Sequence, residues 1–314
     1  MRALRLDAHG GPDVLVPVEL PVPSPGPGQL LVRVRAAGVN FIDTYQRTGL
    51  YKVTLPYVPG LEGAGEVVAG DLPAGTRVAW ASAPGSYAEY AIVPADKAVP
   101  VPDGVADEVA AAAMLQGMTA RYLTHATRPL GEGDACVILA AAGGTGLLLC
   151  QMARRRGARV IAVVSSDEKE ALAREAGAHE VLRYEGFAAK ARALTGGRGV
   201  DVVYDGVGRA TVAESLAALA VRGTLALFGQ SSGPVPPIDP AELAKGSLYL
   251  TRPSLFHYTQ SREELLEHAG AVLRAIAAGE LRVRIAHRLP LERAGDAHRV
   301  LEGRGSLGKI LLIP

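Results

Sequence analysis

The stretch Cys136-Val-Ile-Leu-Ala-Ala-Ala-Gly-Gly-Thr-Gly-Leu-Leu-Leu-Cys150 constrains the fold more than any other part of the chain. Val137 to Leu139 are a short apolar, partly β-branched run, the pattern of a strand buried on both faces. Small residues fill Ala140 to Gly146, and from Leu147 no helix breaker occurs before Gly157. Strand, glycine turn and helix in that order put unpaired backbone N–H groups and the positive end of a helix dipole at the turn. That arrangement suits a diphosphate. The spacing Ala140-x-x-Gly143-x-x-Gly146 is a variant of G-x-G-x-x-G with alanine first. Gly143 is expected to let phosphates approach the backbone, and Gly146 to let the helix pack close on the strand. A tight turn between buried elements is the plain alternative, and flanking strand–helix units favour dinucleotide binding.

With 314 residues the chain has room for two domains, each with its own core. Its net charge of +1 comes from dispersed Lys and Arg, so no basic stripe points to nucleic acid. No run reaches the roughly 18–20 apolar residues of a membrane span. The segment from Met1 to Gly11 has no apolar signal core, and a cytoplasmic protein is expected. Cys136 and Cys150 read as small core hydrophobes. There is no Cys-x-x-Cys, and the seven histidines lack ligand spacing, so no zinc site is expected. Asn40 is the only asparagine in the chain.

Up to about residue 112 the pattern is β-rich. Leu30-Leu-Val-Arg-Val-Arg35 alternates as a half-buried strand does. Further strands are expected at Gly65–Ala69, Thr76–Ala81, Tyr87–Val93 and Ala98–Val101. The interval Ala37–Val58 reads as a long loop holding Asn40, Asp43, Tyr45 and Tyr51, a candidate substrate wall. Asp107–Leu115 reads as one helix and the run from Gln116 as a second, with the crossing into another domain there. From Ala135 strands recur at intervals of about 20–25 residues with helices between them, which implies a doubly wound parallel sheet. Gly143, Ser165, Asp205 and Gly229 fall at strand carboxyl ends, where such a sheet binds its ligand. After Arg252 the pattern changes: a helix at Ser261–Ala278, a strand at Arg282–Ala286, a helix at Leu291–Leu301 and a strand at Lys309–Ile313. These pieces are expected to return to the first domain, making the nucleotide domain an insertion.

Several motifs together resemble the zinc-independent quinone oxidoreductases, the ζ-crystallin type, of the medium-chain dehydrogenase/reductase superfamily. They are Ala37-Gly-Val-Asn-Phe-Ile-Asp43, Pro59-Gly-Leu-Glu-Gly-Ala-Gly65, Gly85-Ser-Tyr-Ala-Glu-Tyr90 and Gln116-Gly-Met-Thr-Ala120. The glycine turn, Val203-Tyr-Asp-Gly-Val-Gly208, Phe228-Gly-Gln-Ser-Ser-Gly233, Gly246–Ser254 and Gly308–Pro314 complete them. Zinc-dependent relatives carry a cysteine where this chain has Asn40 and Gly-His-Glu where it has Gly60-Leu61-Glu62. The resemblance thus agrees with the cysteine count. Thr145 replaces a usual valine, and Val68–Pro73 is a shortened turn. The implied fold is a Rossmann-type doubly wound parallel sheet (119–256) inserted into a GroES-like β-rich catalytic domain (1–118 and 257–314).

The implied activity is metal-free hydride transfer from nicotinamide C4 to a quinone by a homodimer. Two edge segments, Thr224–Phe228 and Ser247–Leu250, are candidates for pairing the copies. Asn40, Tyr45 and Tyr51 resemble catalytic residues facing the nicotinamide and acceptor. The cofactor-binding set adds Gln116, Thr119, Ala142, Gly143, Gly144, Thr145, Gly146, Ser165, Ser166, Lys169, Tyr184, Gly206, Val207, Phe228, Gly229 and Ser231. Plain alternatives stand beside these roles: loop-packing tyrosines, an αL turn for Asn40, helix caps for Thr119 and for Ser165 and Ser166, and a strand-end cap for Asp205. Two other functions stay open: NADPH-dependent reduction of conjugated enals or enones on the same fold, and a non-catalytic NADPH-binding redox sensor or RNA-binding protein.

The second strand ends in Ser165-Ser166 with Lys169 four residues on, where an NAD-selective sheet places an acid. Hydroxyls and an ammonium suit a 2′-phosphate, and the resemblance implies NADPH with Lys169 and Tyr184 near that phosphate. Asp167 and Glu168 are the acids that compete for the same place. Lys169→Ala should raise KM for NADPH far more than KM for NADH in steady-state assays. Equal effects on the two would rule out the phosphate role.

Overall fold

The computed structural model describes residues 1–303 and 305–314. A short antiparallel pair, β1 (Arg2–Arg5) and β2 (Val16–Glu19), opens the chain. In β3 (Gln29–Val39) the alternation works as expected, with Val32 and Val34 buried and Arg33 and Arg35 exposed. Residues 37–58 depart from the expected loop: they finish β3 and then form a helix, α1 (Phe41–Arg47). Its aromatic and β-branched residues favour helix weakly, and its ends hold it. Asn40 is the N-cap, and Asp43 returns a carboxylate oxygen to the Asn40 N–H at 2.8 Å. At the other end Arg47 is buried. Its Nε donates to Gly10 O at 3.0 Å, and its amino groups reach His298 Nδ1 at 3.1 Å and Glu302 at 2.7 Å.

Strands β4 (Glu62–Gly70), β5 (Arg77–Trp80), β6 (Tyr90–Pro94) and β7 (Val99–Pro100) follow. Then comes α2 (Asp107–Tyr122), one continuous helix where two runs divided at Gln116 are expected. Gly117 does not break it, because its role is close packing: a Cβ there would stand 2.7 Å from Val272 Cγ1. A π-helical turn at Leu123–Thr127 ends it.

Strand and helix now alternate: β8 (Ala135–Leu139), α3 (Gly144–Arg155), β9 (Arg159–Val163), α4 (Asp167–Glu175), β10 (Glu180–Leu182) and α5 (Phe187–Leu194). They continue as β11 (Val200–Asp205), α6 (Val212–Ala218), β12 (Leu219–Leu227), α7 (Pro240–Ala244) and β13 (Tyr249–Thr251). Among the described residues the sheet order is β10-β9-β8-β11-β12-β13, parallel throughout. This is the doubly wound dinucleotide-binding order, and it reverses between β8 and β11. Thr224–Phe228 is therefore not an edge: β12 lies between β11 and β13, and β13 is the outermost strand.

The chain then returns through α8 (Arg262–Ala277), β14 (Ile285–Pro290), α9 (Ala294–Glu302) and β15 (Lys309–Ile313). α8 starts with the expected capping box, Ser261 with Glu264. The helix expected at 291–301 divides into a 3-10 turn, Leu291–Arg293, and α9. β15 joins the first sheet against β3, giving the order β14-β15-β3-β4-β5-β7 with β6 also on β3.

Two compact units result, residues 1–118 with 259–314 and residues 119–258. The second crossing lies two residues beyond the expected 256/257. Tyr258 belongs to the inserted unit, where it stacks on Tyr122 at 4.3 Å and accepts a hydrogen bond from Thr127 Oγ1 at 2.8 Å. Trp80, the only tryptophan, is fully buried in the first unit, so its fluorescence reads that unit's unfolding. Arg47→Met leaves Gly10 O and His298 Nδ1 without their donor, at roughly 1–3 kcal/mol for each buried group. Urea unfolding followed at Trp80 should show a loss of at least about 2 kcal/mol, and an unchanged midpoint would contradict this role for Arg47.

Candidate active site

In the first unit the polar residues converge at the end of β3. The register sets Gly38 opposite Glu62 and Val39 opposite Ile310, so Asn40, Glu62 and Lys309 meet there. All three are buried, the last two completely. Asn40 Nδ2 donates to Gly38 O at 3.2 Å and to Glu62 Oε2 at 2.8 Å, while Oδ1 accepts from Lys309 Nζ at 2.7 Å. Lys309 also donates to Glu62 Oε2, whose other oxygen accepts the Leu115 N–H at 2.6 Å. Asn40 has φ −136° and ψ 157°, so it is extended rather than in the left-handed turn. Both of its N–H groups are engaged, so it has no donor left for an acceptor's oxygen.

Beside this triad runs a second buried chain. Tyr87 OH donates to Asp43 Oδ2 at 3.1 Å and lies 3.2 Å from His298 Nε2. Because Arg47 donates to Nδ1, we assign the His298 proton to Nε2, facing the tyrosine oxygen. Burial pushes Asp43 up to about 7, against the opposing pull of the Asn40 N–H and Lys309. Burial, then the Arg47 charge, takes His298 down to about 3.

Tyr45 and Tyr51 pack edge to face at 5.2 Å, and Phe41 lies 6.1 Å from Tyr45. Tyr51 is 37% exposed, so this aromatic cluster lies at the surface rather than in the core. Gln116 follows Leu115 on α2, and its Oε1 is buried without a hydrogen-bond partner. Thr119 is buried inside the same helix, which rules out the cap reading.

In the second unit the expected residues gather at the carboxyl ends of β8, β9, β11 and β12. Ala140 takes a positive φ of 50°, and its N–H donates to Tyr184 OH at 3.1 Å. Ala142 is buried in the turn that follows, and Gly143 is the N-cap of α3. Gly144, Thr145 and Gly146 form its first turn, where leading N–H groups have no partner within a helix. Gly146 admits nothing larger, since a Cβ there would stand 2.4 Å from Ala140 O. After β9, Ser166 caps α4 and Lys169 Nζ donates to Ser165 Oγ at 2.9 Å. Asp167 pairs with Arg183, which also holds Glu170 at 2.9 Å.

Asp205 does more than cap its strand. Its oxygens accept from Val207 N (2.7 Å), Gly208 N (2.9 Å), Thr211 Oγ1 (2.8 Å) and Ser215 Oγ (2.8 Å), which fixes the loop after β11. Gly206 leaves room for the Phe228 ring, and Gly229 lies against Gly206. The Ser231 N–H closes the two loops on each other by donating to Gly206 O at 3.2 Å.

The second unit fits a dinucleotide: a turn that a side chain at Gly146 would fill, a helix start facing it, and a lysine–serine pair beyond the next strand. Zinc does not fit. Among the described residues no three His, Cys, Asp or Glu form a cluster able to hold a metal, and both cysteines are buried within β8 and α3. Sequence reasoning missed Glu62, Lys309, Tyr87 and His298 as site-forming residues. The available signal was charge within strands: Glu62 in a run of Gly and Ala, and Lys309 before Ile-Leu-Leu-Ile313. No helix among the described residues is long and apolar enough to cross a membrane.

Residues 26–103 match the family of the alcohol dehydrogenase GroES-like domain, and residues 144–271 that of the zinc-binding dehydrogenase. The chain is 42% identical to 2-haloacrylate reductase of Burkholderia sp over 97% of its length and 96% of that protein's. It is equally 42% identical to quinone oxidoreductase 1 of Escherichia coli K12, over 98% and 97%. A mycobacterial structure complexed with NADPH superposes with a TM-score of 0.98 at 48% identity, covering both chains completely.

The two shifted groups of the first unit oppose each other. Asp43, raised, contributes stability that is fully present below its unfolded value near 3.8 and lost as pH rises through about 7. His298, lowered, contributes stability present above 6.5 and lost as pH falls toward about 3. Between roughly pH 4 and 6.5 their slopes cancel. Asp43→Asn leaves the histidine alone, so its Trp80-monitored stability should fall with acid across that window, by about 1.4 kcal/mol per pH unit relative to wild type. Parallel curves for variant and wild type would show that Asp43 is not raised.

Proposed function

Because the chain belongs to the zinc-independent quinone oxidoreductases of the medium-chain dehydrogenase/reductase superfamily, we propose that it reduces quinones with NADPH. The observation that carries the cofactor choice is the Lys169–Ser165 contact at the end of β9, with Asp167 turned to Arg183. A 2′-phosphate there meets an ammonium and hydroxyls, and charge-assisted bonds of that kind are about twice as strong as neutral ones. The pyrophosphate lies at the Gly143–Gly146 turn and the start of α3. Tyr184 fixes the turn through Ala140, and Phe228, Gly229 and Ser231 hold the cofactor from the loops that Asp205 organises. Bound NADPH supplies the hydride.

On the acceptor side, Tyr45 and Tyr51 present aromatic faces to a flat acceptor, and their hydroxyls are the donors for its oxygen. Asn40 is held with its amide oxygen on Lys309 and its amide nitrogen on Glu62, and we assign it to the first unit's share of the reaction site. Gln116 brings a buried amide oxygen that the protein leaves unmet. Quinones and conjugated carbonyls are already electron-poor, so positioning and exclusion of water are what the residues must provide. We further propose a cytoplasmic homodimer paired along the outer edge of β13. Tyr249, 60% exposed, and Leu250 lie on that strand, with Val221 exposed on the neighbouring one.

Similarity to 2-haloacrylate reductase equals that to the quinone enzymes, which favours one second reading: reduction of a conjugated alkene on the same residues. A spectrophotometric titration with NADPH and NADH, followed by panels of quinones and of conjugated enals and 2-haloacrylate, separates the two. Tight NADPH binding with rapid quinone-dependent oxidation is the expected result. Turnover confined to the alkene panel would shift the substrate class, and binding without any turnover would favour a sensor. Failure to retain either nucleotide would overturn the proposal.

A further inference from the structure

We propose that Glu62 and Lys309 are positioning residues that set the orientation of the Asn40 amide and the place of α2 just before Gln116. This rests on the reading of Asn40 and Gln116 given above. An amide offers two N–H donors on one side and an acceptor on the other, so it can be flipped in place unless its surroundings forbid it. Here the Lys309 ammonium lies at 2.7 Å on the Oδ1 side and the Glu62 carboxylate at 2.8 Å on the Nδ2 side. Reversing the amide would set its N–H groups against an ammonium and its oxygen against a carboxylate. A neutral pair of the same shape would not forbid that flip. The charges therefore fix which way the Asn40 amide faces.

The same carboxylate reaches α2. Glu62 Oε1 accepts the N–H of Leu115 at 2.6 Å, a donor that α-helix geometry directs at Ala111 O. The approach is possible because Gly38 leaves the space: a Cβ on it would stand 2.2 Å from Glu62 Oε2 and 2.8 Å from Ala111 O. One side chain thus contacts Asn40, Lys309 and the helix residue preceding Gln116. None of this surrounds a ligand directly, since both charged groups are fully buried. Their action passes through Asn40 and α2.

The test uses the full chain with NADPH bound. Removing one charge leaves its partner buried and uncompensated, and that is strongly destabilising. The informative variant is therefore the neutral double substitution, Glu62→Gln with Lys309→Met. It should fold, as shown by the Trp80 fluorescence midpoint, and still bind NADPH in a titration. Its kcat for quinone should drop about 100-fold, as a displaced reacting group does, while KM stays unchanged. A role in stability alone predicts wild-type kcat in any double variant that folds.

Because Asn40 is the only asparagine, labelling asparagine with 15N gives one side-chain amide to follow by NMR. In the wild type its two amide protons should be resolved and slow to exchange with solvent, and in the double variant both should move together. Fast exchange in the wild type would overturn the proposal without any variant, so a double variant that fails to fold does not shield it. A folded double variant with unchanged kcat and unchanged amide signals would overturn it as well. Absence of quinone turnover in the wild type would sink the functional reading instead, with the amide signature still reporting on the positioning.

Discussion

Two opposite charges shut away from the surface meet where the polar residues of the first unit converge. An isolated buried carboxylate or ammonium is costly enough that it neutralises or drives unfolding. Lys309 and Glu62 avoid this by facing each other, with Asn40 and the Leu115 N–H taking further bonding capacity. The requirement is exacting in sequence space. Glu62 begins β4, Asn40 follows β3, and Lys309 begins the last strand, so the pair forms only if β15 returns beside β3 in one register. A slip of one residue would turn Lys309 to the other face of the sheet. An apolar pair of similar volume often serves stability equally well, so these charges are better understood by what they orient.

The second unit solves a different problem, packing backbone against backbone with no side chains in the way. Ala140 turns the chain with a positive φ, and the tight contact between Gly146 and Ala140 O brings the start of α3 against that turn. Asp205 does for the neighbouring loop what Glu62 does in the first unit. One buried carboxylate gathers two backbone N–H groups and two hydroxyls, and Phe228, Gly229 and Ser231 then stack on the loop it shapes. Each unit thus uses one buried carboxylate to join separate segments: Asp205 holds a loop, and Glu62 joins Asn40, Lys309 and α2.

Period and punctuation were enough to read the inserted sheet. Its strands are short apolar runs that alternate with helices as the pattern predicts, and in the first sheet β15 begins and ends where the pattern places it. What escaped was structure held by contacts distant in sequence. α1 has weak intrinsic propensity and exists because Asn40 and Asp43 cap it and Arg47 is anchored by Gly10, His298 and Glu302. β13 overlaps the expected edge segment Ser247–Leu250 but is shorter and ends one residue later, where its pairing with β12 sets it. The candidate nucleotide residues were legible because they sit in local motifs. The Asn40–Glu62–Lys309 triad was not, since its members are 22 and 247 residues apart from one to the next.

Cofactor selectivity raises a last question of magnitude. Around the end of β9, Lys169, Arg174 and Arg183 stand beside Asp167, Glu168 and Glu170, so the neighbourhood carries no excess charge to attract a phosphate. The Arg183–Asp167 pair is exposed, and pairs of that kind contribute at most about 1 kcal/mol. In the proposed reading, discrimination there would come from position rather than from net field. Arg183 draws the acid that follows Ser166 toward β10, and Lys169 Nζ lies on the hydroxyl at the strand end. The Lys169–Ser165 bond is already charge-assisted through its ammonium donor, and a phosphate oxygen in the hydroxyl's place would add the opposite charge on the acceptor. On the same reading, a nucleotide lacking the phosphate would leave the Lys169–Ser165 bond as it stands here.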